Sequence, residues 1–375
     1  MNIAVNTRLL LKNKLEGIGW FTYESLKRLV ESHPEHQFYF IFDRKYDEEF
    51  VFASNVTPIV VGPQARHPIL FYLWFEHSIP RVLKKIKADI FLSPDAYGSM
   101  KTDVKTLIVI HDLNFEHFPE KMPWLVRKYY KYYTPLFAKK AERIATVSEF
   151  SKQDIVEQYG IAADKIDVVF NGANKKFKPI DASEQIAIRK NYSEGEDYFV
   201  FIGALNPRKN LVNLFKAFDI YRRENKVSVK LLVVGEKMWW TDEIKEAYES
   251  MDYSQDVIFT GRLEPSELYK VVGSALALTY VSIFEGFGIP IVEAWYSDTA
   301  VITSNVTSMP EIAGDAALII DPFIPKSIAD AMKSITFDEG LRKNIIEKGR
   351  QRRDIFSWEK TAHNLWASIE KTINQ

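Results

Sequence analysis

Short hydrophobic runs alternate along this chain with longer stretches in which apolar residues recur at three- and four-residue spacing. Short buried runs are typical of parallel β-strands, whereas the longer pattern predicts amphipathic helices. This alternation predicts an α/β protein whose parallel sheets are covered by helices on both faces. The predicted strands are residues 3–6, 37–42, 59–61, 90–93, 106–111, 143–147, 166–170, 198–203, 230–235, 257–260, 276–280, 300–304 and 317–320.

A polar stretch at residues 175–196 interrupts the alternation and contains Pro179. Because 375 residues exceed what one hydrophobic core usually organises, we expect two domains, 1–180 and 181–355. The remaining residues, 356–375, have apolar side chains at helical spacing and predict a final helix. That helix is expected either to pack on the domain before it or to cross back to the first domain.

The amino-acid composition limits the kinds of site that the protein can contain. The chain has no cysteine, which excludes disulfides, thiolate catalysis and Cys-ligated metal sites. Its first residues lack the pattern of a signal peptide, and no apolar run approaches the ~20 residues that span a bilayer, so a cytoplasmic protein is expected.

Residues 1–180 carry 26 Lys and Arg against 21 Asp and Glu, and the remainder carries 23 against 29. This asymmetry favours an anionic ligand or surface at the first half.

The most informative segment is LTYVSIFEGFGIPIVEAW, residues 278–295, which reads as a strand, a glycine-rich turn and a helix. Gly286 and Gly288 would let a ligand approach the backbone at the start of the helix. Glu285 and Glu293 bracket this turn, and a carboxylate accepts paired hydrogen bonds from the vicinal hydroxyls of a sugar. Taken singly, each has a structural alternative, because Glu293 could complement the helix dipole and Glu285 could be a solvated turn residue.

A second strand–turn–helix segment, residues 201–211, contains Gly203 and the adjacent cations Arg208 and Lys209. Cations at a helix N-terminus attract a diphosphate and can neutralise the charge that develops as it departs. The alternative is an ordinary solvated Arg–Lys pair. In the first half, His111 is expected at the carboxyl end of a buried strand, where a structural histidine is the alternative.

Together these motifs resemble the retaining glycosyltransferases of group one, family four, whose signature is a pair of glutamates separated by seven residues. The resemblance implies the GT-B fold, with two facing Rossmann-like doubly wound domains and the sugar donor bound mainly by the second one. It implies that Glu285 binds the donor hexose, Glu293 binds the ribose, and Arg208 and Lys209 contact the pyrophosphate. Some family members carry an arginine directly after the glycine, where this chain has Ala204.

The resemblance also assigns other residues to the donor site. The amides of the turn are expected to face the sugar and phosphate, the loop at Arg262 is expected to seat the base, and Gly17 and Gly19 resemble a glycine loop near the phosphates, for which a plain turn is the rival. His111 is expected at the catalytic site, with Asp112 beside it. The further donor-site residues are Gly203, Leu263, Gly286, Phe287, Gly288 and Ile289.

The implied reaction is metal-independent transfer of a hexose, with retention of configuration, from a nucleoside diphosphate sugar to a saccharide or lipid-linked saccharide acceptor in polysaccharide biosynthesis. No Asp-x-Asp triplet is present, so we expect no metal and no other cofactor. GDP-mannose is the first candidate donor because residues 206–210, NPRKN, resemble those of mannosyltransferases; UDP-glucose and UDP-N-acetylglucosamine follow. No nucleic-acid partner is expected.

Residues 71–87 and 127–140 combine aromatic and basic residues, which suggests a peripheral contact with the inner face of a membrane. The alternative is an ordinary amphipathic helix, with its aromatic residues in the core and its lysines in solvent.

Two other classes of protein remain open. A catalytically silent sugar- or nucleotide-binding protein could have the same fold. A nicotinamide-dependent oxidoreductase would need a third glycine after Gly17 and Gly19, where this chain has Thr22.

Overall fold

The computed structural model describes residues 1–237 and 240–375, which form two compact units. The first unit comprises residues 1–171 and 358–375, and the second comprises residues 172–357. The chain therefore divides after Asn171 and not after residue 180 as the polar stretch suggested. The reason is that Ile180 already packs beside Gly273 of the second unit, whose Cβ position would lie 3.3 Å from Ile180 Cγ1.

The first unit is built on a parallel sheet that, within its described residues, has seven strands in the order β3-β2-β1-β4-β5-β6-β7. Every strand–strand pair in it is parallel, as the uninterrupted hydrophobic runs predicted. The strands are β1 (Asn2–Asn6), β2 (Gln37–Phe42), β3 (Val56–Val60), β4 (Ile90–Ser93), β5 (Lys105–Ile110), β6 (Arg143–Thr146) and β7 (Ile166–Val168).

Helices on both sides of this sheet bury its apolar residues. They are α1 (Gly17–Ser32), α2 (Pro68–Leu73), α3 (Ile79–Ile86), α4 (Asn114–His117), α5 (Trp124–Lys140), α6 (Glu149–Tyr159) and α15 (Trp358–Asn374), with a π-helical turn at Trp74–Ser78. The last helix packs against α1: the Trp358 ring meets the edge of Phe21, and Trp366 stacks on His33 with 3.5 Å between ring centroids. The C-terminal residues thus complete the first unit.

The second unit repeats this architecture with a parallel sheet whose described strands follow the order β10-β9-β8-β11-β12-β13. Its strands are β8 (Asp197–Ile202), β9 (Val229–Val234), β10 (Val257–Gly261), β11 (Ala277–Tyr280), β12 (Ala300–Ser304) and β13 (Leu318–Ile320). Its helices are α7 (Ala182–Ser193), α8 (Leu211–Asn225), α9 (Asp242–Glu249), α10 (Pro265–Gly273), α11 (Ile289–Tyr296), α12 (Met309–Ala313), α13 (Pro325–Phe337) and α14 (Glu339–Arg353).

The order of the strands determines where a ligand can bind. In both sheets the strand order reverses direction beside the first strand of the unit, β1 in one and β8 in the other. At such a switch point the loops after neighbouring strands separate and leave a crevice at the carboxyl edge of the sheet. The prediction of an α/β protein with two parallel sheets is confirmed, and the site residues should be sought at these carboxyl edges.

Across the described ranges, no helix is both long enough and apolar enough to pass through a bilayer.

Candidate functional site

The centre of the candidate site is the carboxylate of Glu285, in the loop between β11 and α11. Its side chain is only 9% exposed. Oε1 accepts a hydrogen bond of 2.6 Å from Lys209 Nζ, and Oε2 accepts one of 2.9 Å from Arg208 Nη1. The structure therefore brings Glu285 together with two adjacent cations that precede it by 77 and 76 positions in the sequence. The predicted cationic pair and the first predicted glutamate form one cluster, here called the Glu285 cluster.

The two cations reach Glu285 because the chain turns tightly after β8. Residues Pro207–Lys209 form a single 3-10 turn, and Asn210 then adopts a left-handed conformation before α8 begins. The backbones of the two loops are joined, since Ile283 N donates to the carbonyl of Arg208 at 2.8 Å. Arg208 Nη1 also donates to the carbonyl of Phe284 at 3.0 Å. The cations are thus fixed to the loop that carries Glu285.

Glycine is required at two positions beneath Lys209. At Gly235, at the end of β9, a Cβ atom would lie 1.9 Å from the carbonyl oxygen of Gly203, so no side chain fits. Gly203 has φ +151°, and a Cβ atom there would lie 3.3 Å from Lys209 Cε. These glycines bring the ends of two neighbouring strands close together and let the Lys209 side chain extend over them.

The cluster keeps Glu285 ionised and retains positive charge. Burial acts to raise the pKa of Glu285, but the charges of Arg208 and Lys209 outweigh it and lower the pKa to about 2. Two cations and one carboxylate leave the cluster with a net charge of +1. A buried cluster of this sign at a sheet's carboxyl edge favours an anionic ligand such as a diphosphate.

Sequence reasoning missed several residues that hold the cluster in place. Lys209 Nζ donates to Tyr280 Oη at 2.7 Å and lies 4.6 Å from the centroid of the Tyr280 ring. Thr307 and Ser308 hold the Glu285 backbone, the first accepting from its N–H and the second donating to its carbonyl. A polar side chain at the end of β11 was a signal for Tyr280, whereas Thr307 and Ser308 follow a different strand, β12.

The second predicted glutamate occupies a different environment. Glu293 lies in α11, which begins after Gly288 (φ +102°) without a side-chain N-cap. Protein atoms surround most of the Glu293 side chain, and part of the side chain is exposed to solvent. Burial raises its pKa to about 7, and a hydrogen bond from the backbone of Asn174 acts in the opposite direction. Glu293 therefore has Asn174 as a partner, whereas Arg208 and Lys209 pair with Glu285.

The raised pKa of Glu293 predicts how stability depends on pH. Its folded-state pKa of about 7 lies above the ordinary 4.5, so folding favours the protonated carboxyl. The stabilisation of the folded state by the protonated Glu293 carboxyl is complete below pH 4.5 and is lost as pH rises through about 7. We expect Glu293→Gln to raise the thermal midpoint relative to the unmodified protein at pH 8, and the difference to shrink toward pH 5. Glu246→Gln, on the exposed face of α9, is the control. An equal pH-dependent difference in thermal midpoint in that variant would contradict the raised pKa of Glu293.

The remaining predicted residues of the second unit are distributed around the cluster loop. Gly286, Phe287 and Gly288 are buried, and the Phe287 ring packs edge-on against Phe356 at 5.4 Å. Only the backbone of Phe287 therefore remains suited to a ligand. Ile289 begins α11 and is partly exposed. Arg262 and Leu263 follow β10, at the same carboxyl edge, and Arg262 is exposed.

In the first unit, His111 directly follows β5 at the carboxyl edge of the sheet. Its Nε2 lies 2.9 Å from the carbonyl oxygen of Pro94, and because a carbonyl only accepts, Nε2 carries the proton. Burial lowers the pKa of His111, and the edge of the Phe21 ring meets the imidazole at 4.8 Å. Asp112 instead accepts from Asn114, through its backbone N–H at 3.1 Å and its side-chain amide at 2.5 Å. That geometry gives Asp112 a role in shaping the turn.

The two glycines after β1 do not form the predicted loop. Both lie in the first turn of α1, which begins at Gly17. A Cβ atom at Gly19 would lie 3.2 Å from the Leu9 carbonyl oxygen and 3.2 Å from Leu15 Cδ2, so this glycine permits close packing of the preceding segment on the helix. Gly17 has open space around its Cα. Gly17 and Gly19 therefore lie at the start of a helix and not in a separate loop, and their approach to the donor phosphates stays a prediction.

Within residues 1–237 and 240–375, no group of three His, Asp or Glu side chains is arranged to hold a metal ion.

Comparison with known proteins gives a consistent result. The family "Glycosyl transferases group 1" matches residues 183–352, and "Glycosyltransferase Family 4" matches residues 15–177. The chain is 25% identical over 360 residues to O-antigen chain mannosyltransferase B of Escherichia coli, covering 93% of this chain and 94% of that protein. It is 26% identical over 294 residues to O-antigen chain mannosyltransferase RfbU of Salmonella typhimurium, covering 77% and 78%.

The fold has close counterparts among solved structures. A glycosyltransferase from Rickettsia africae superposes with a TM-score of 0.75 at 19% identity, covering 98% of each chain. At that identity the likeness concerns the fold, which is GT-B. The two family matches fall on the two units and together span most of the sequence. The chain belongs to the group 1, family 4 type of glycosyltransferases and is a hexosyltransferase.

Proposed function

We propose that the protein transfers mannose from GDP-mannose to a saccharide or lipid-linked saccharide acceptor, with retention of configuration and without a metal ion, in the synthesis of an O-antigen-type polysaccharide. The observation that carries the proposal is the buried contact of Arg208 and Lys209 with Glu285. The choice of mannose is supported by the names of the relatives, which are mannosyltransferases of O-antigen chains.

The chemistry proposed for the Glu285 cluster is electrostatic. In the transfer, the bond between C1 of the hexose and the β-phosphate oxygen breaks while a bond from C1 to an acceptor hydroxyl oxygen forms, and the proton of that hydroxyl passes to the departing diphosphate. Negative charge then grows on the departing diphosphate. Arg208 and Lys209 would stabilise it, and since their positions are fixed by Glu285, little reorganisation is needed during the reaction. The two side chains would supply the positive charge that a metal ion supplies in other enzymes, and this supports metal-independent catalysis.

The other site residues have proposed roles at the donor and acceptor. Glu285 remains ionised at neutral pH, so it can also accept a hydrogen bond from a donor hydroxyl. We assign Glu293 to the ribose, Arg262 and Leu263 to the base, and the turn at Gly286 to the sugar and phosphates. His111 is assigned to the hexose and the incoming acceptor. Asp112 would shape the turn after His111 through its carboxylate. The remaining residues would shape the site through their backbones: Gly17, Gly19, Gly203, Phe287, Gly288 and Ile289.

The test is release of the nucleotide from candidate donors. The purified protein is incubated with GDP-mannose, UDP-glucose or UDP-N-acetylglucosamine and an acceptor saccharide, with and without EDTA. We expect GDP release that EDTA leaves unchanged and an anomeric NMR signal with the configuration of the donor. Release from a UDP-sugar alone would overturn the donor assignment, and inhibition by EDTA would overturn metal independence. Nucleotide binding without release from any donor would favour the silent binding protein.

A peripheral contact with the membrane is also part of the proposal, because a lipid-linked acceptor is presented at a bilayer surface. The support comes from the first unit, where aromatic and basic residues of α5 occur together.

A further inference from the structure

An arginine and an aspartate form a buried ion pair at the carboxyl edge of the first sheet. Arg8 follows β1 and Asp95 follows β4, and these two strands lie on either side of the point where the strand order reverses. Arg8 Nε donates to Asp95 Oδ2 at 2.6 Å, and the two side chains are 10% and 3% exposed. The proposed function gives neither residue a role.

Further polar contacts fix the Asp95 carboxylate. Its Oδ1 accepts from Asn6 Nδ2 at 2.7 Å and from Ser93 Oγ at 3.1 Å. The guanidinium of Arg8 lies 4.6 Å from the centroid of the Tyr97 ring. Burial acts to lower the pKa of Arg8, but the charge of Asp95 acts in the opposite direction and the pKa is raised above its ordinary value. Removing the Arg8 cation would therefore leave a buried carboxylate without its counter-charge.

The same aspartate fixes the carbonyl group that orients His111. Pro94 immediately precedes Asp95, and its carbonyl oxygen lies 2.9 Å from His111 Nε2. Ala96, on the other side of Asp95, has φ +62°, and its N–H donates to the carbonyl of Val109 at 2.8 Å. A residue other than glycine keeps such a conformation only where its surroundings hold it. The Pro94 carbonyl thus belongs to a segment that the ion pair and the Ala96 contact hold in place.

The orientation of His111 decides which imidazole nitrogen is available to a ligand. Because the Pro94 carbonyl accepts from Nε2, this nitrogen carries the proton and Nδ1 has a lone pair. Within the described part of the chain, Nε2 is the ring nitrogen of His111 that has a protein hydrogen bond. Nδ1 is therefore left to accept a hydrogen bond from a sugar hydroxyl.

We propose that Arg8 and Asp95 are positioning residues for His111. Their ion pair fixes the Pro94 carbonyl, and this carbonyl selects the imidazole tautomer that presents Nδ1 to a sugar hydroxyl. Neither residue needs to touch a substrate, because a fixed acceptor behind a histidine sets both its tautomer and its orientation. The inference rests on the proposed function for the role of His111 in the transfer, whereas the link from Arg8 to the imidazole is independent of the donor.

The experiment combines NMR of protein labelled with ¹⁵N-histidine and steady-state turnover of the sugar donor. His111→Gln identifies the His111 signals by their absence. We expect the unmodified protein to have a protonated Nε2 and an unprotonated Nδ1 at His111. Arg8→Gln should give a mixture of tautomers and lower kcat by about 10- to 100-fold, with a smaller change in the KM for the donor, since a displaced group at the reacting centre costs rate.

A second substitution tests whether the unpaired charge causes this effect. When Asp95→Asn is added to Arg8→Gln, no buried charge is left unpaired, so the single tautomer and most of the lost turnover should return. Arg8→Lys keeps the charge and should lose less turnover than Arg8→Gln. These two variants also test the proposal if Arg8→Gln alone is recovered unfolded.

Arg143→Gln is the matched control. Arg143 Nε pairs with Asp167 at 2.8 Å, and the two side chains are 7% and 14% exposed. Arg143 is the first residue of β6, so it lies at the amino edge of the same sheet, opposite the edge that carries His111. This variant loses a buried cation from the same unit and, per folded molecule, should keep the tautomer and the turnover of the unmodified protein.

The proposal is overturned if Arg8→Gln keeps a single tautomer with a protonated Nε2, or if Arg143→Gln disturbs the tautomer as strongly. It is also overturned if the tautomer changes while kcat does not, because the orientation of His111 would then have no consequence for the transfer. Failure of the proposed function gives a different result, in which the unmodified protein releases nucleotide from no donor. A tautomer that still depends on Arg8 in that case would support the positioning of His111 and refute the transfer.

Discussion

Replacing Lys209 by glutamine is expected to lower donor-dependent turnover by about 10²- to 10³-fold, the usual effect of removing one charged donor from a developing negative charge. Lys209 is only 8% exposed and its ammonium is held by Glu285 and Tyr280. Glutamine keeps some hydrogen bonding but removes the charge, so the loss should appear mainly in kcat. The measurement is GDP release at saturating donor, compared with the unmodified protein.

Lys216→Gln provides the control for this prediction. Lys216 is exposed on α8, the helix that begins two residues after Lys209, and it loses the same charge without touching the Glu285 cluster. Its turnover should match that of the unmodified protein. Equal losses in both variants would mean that the general charge of the second unit matters and not the position of Lys209.

Replacing Glu285 by glutamine is expected to destabilise the second unit by about 3–5 kcal/mol, because it leaves the buried Lys209 and the partly buried Arg208 without their counter-charge. The carboxylate pKa of about 2 lies below the ordinary 4.5, so its stabilising contribution is present above pH 4.5 and is lost only as pH falls through about 2. The loss of stability in Glu285→Gln should therefore be constant from pH 6 to pH 8. Chemical denaturation followed by tryptophan fluorescence measures it.

Turnover of Glu285→Gln should also fall, since Arg208 and Lys209 lose the group that positions them. Glu246→Gln on α9 is the control, and an exposed substitution of this kind usually changes stability by about 0.5 kcal/mol or less. A Glu285→Gln variant that is as stable as the control would show that the ion pairs contribute nothing net. A stable but inactive variant would instead place Glu285 in direct contact with the donor.

The strands were predictable from the sequence because parallel strands are buried on both faces. Each predicted strand coincides with an observed one, and 37–42, 90–93 and 300–304 have the observed bounds. The domain boundary was displaced because a polar composition does not reveal packing: Ile180, inside the predicted first domain, contacts Gly273. The start of α1 was missed because Gly17 and Gly19 are poor helix formers, and only Gly19 is packed closely against the preceding segment.

The motif around Glu285 was predictable, but its internal contacts were not. The spacing of Glu285 and Glu293 indicated two acids near one ligand, whereas the structure pairs Glu285 with Arg208 and Lys209 and Glu293 with Asn174. Such pairings depend on how loops from separate strands meet, which local sequence does not encode. The contribution of Tyr280 likewise depends on tertiary structure, because Tyr280 ends β11 and Lys209 lies in the turn after the neighbouring strand β8.

The central claim is that the Glu285 cluster binds the diphosphate of the sugar donor. The most direct measurement is a crystal structure of the unmodified protein with GDP-mannose. We expect a phosphate oxygen within hydrogen-bonding distance of Lys209 Nζ or the Arg208 guanidinium, and the hexose next to Glu285. A diphosphate bound elsewhere, with these three side chains still engaged only with one another, would contradict it.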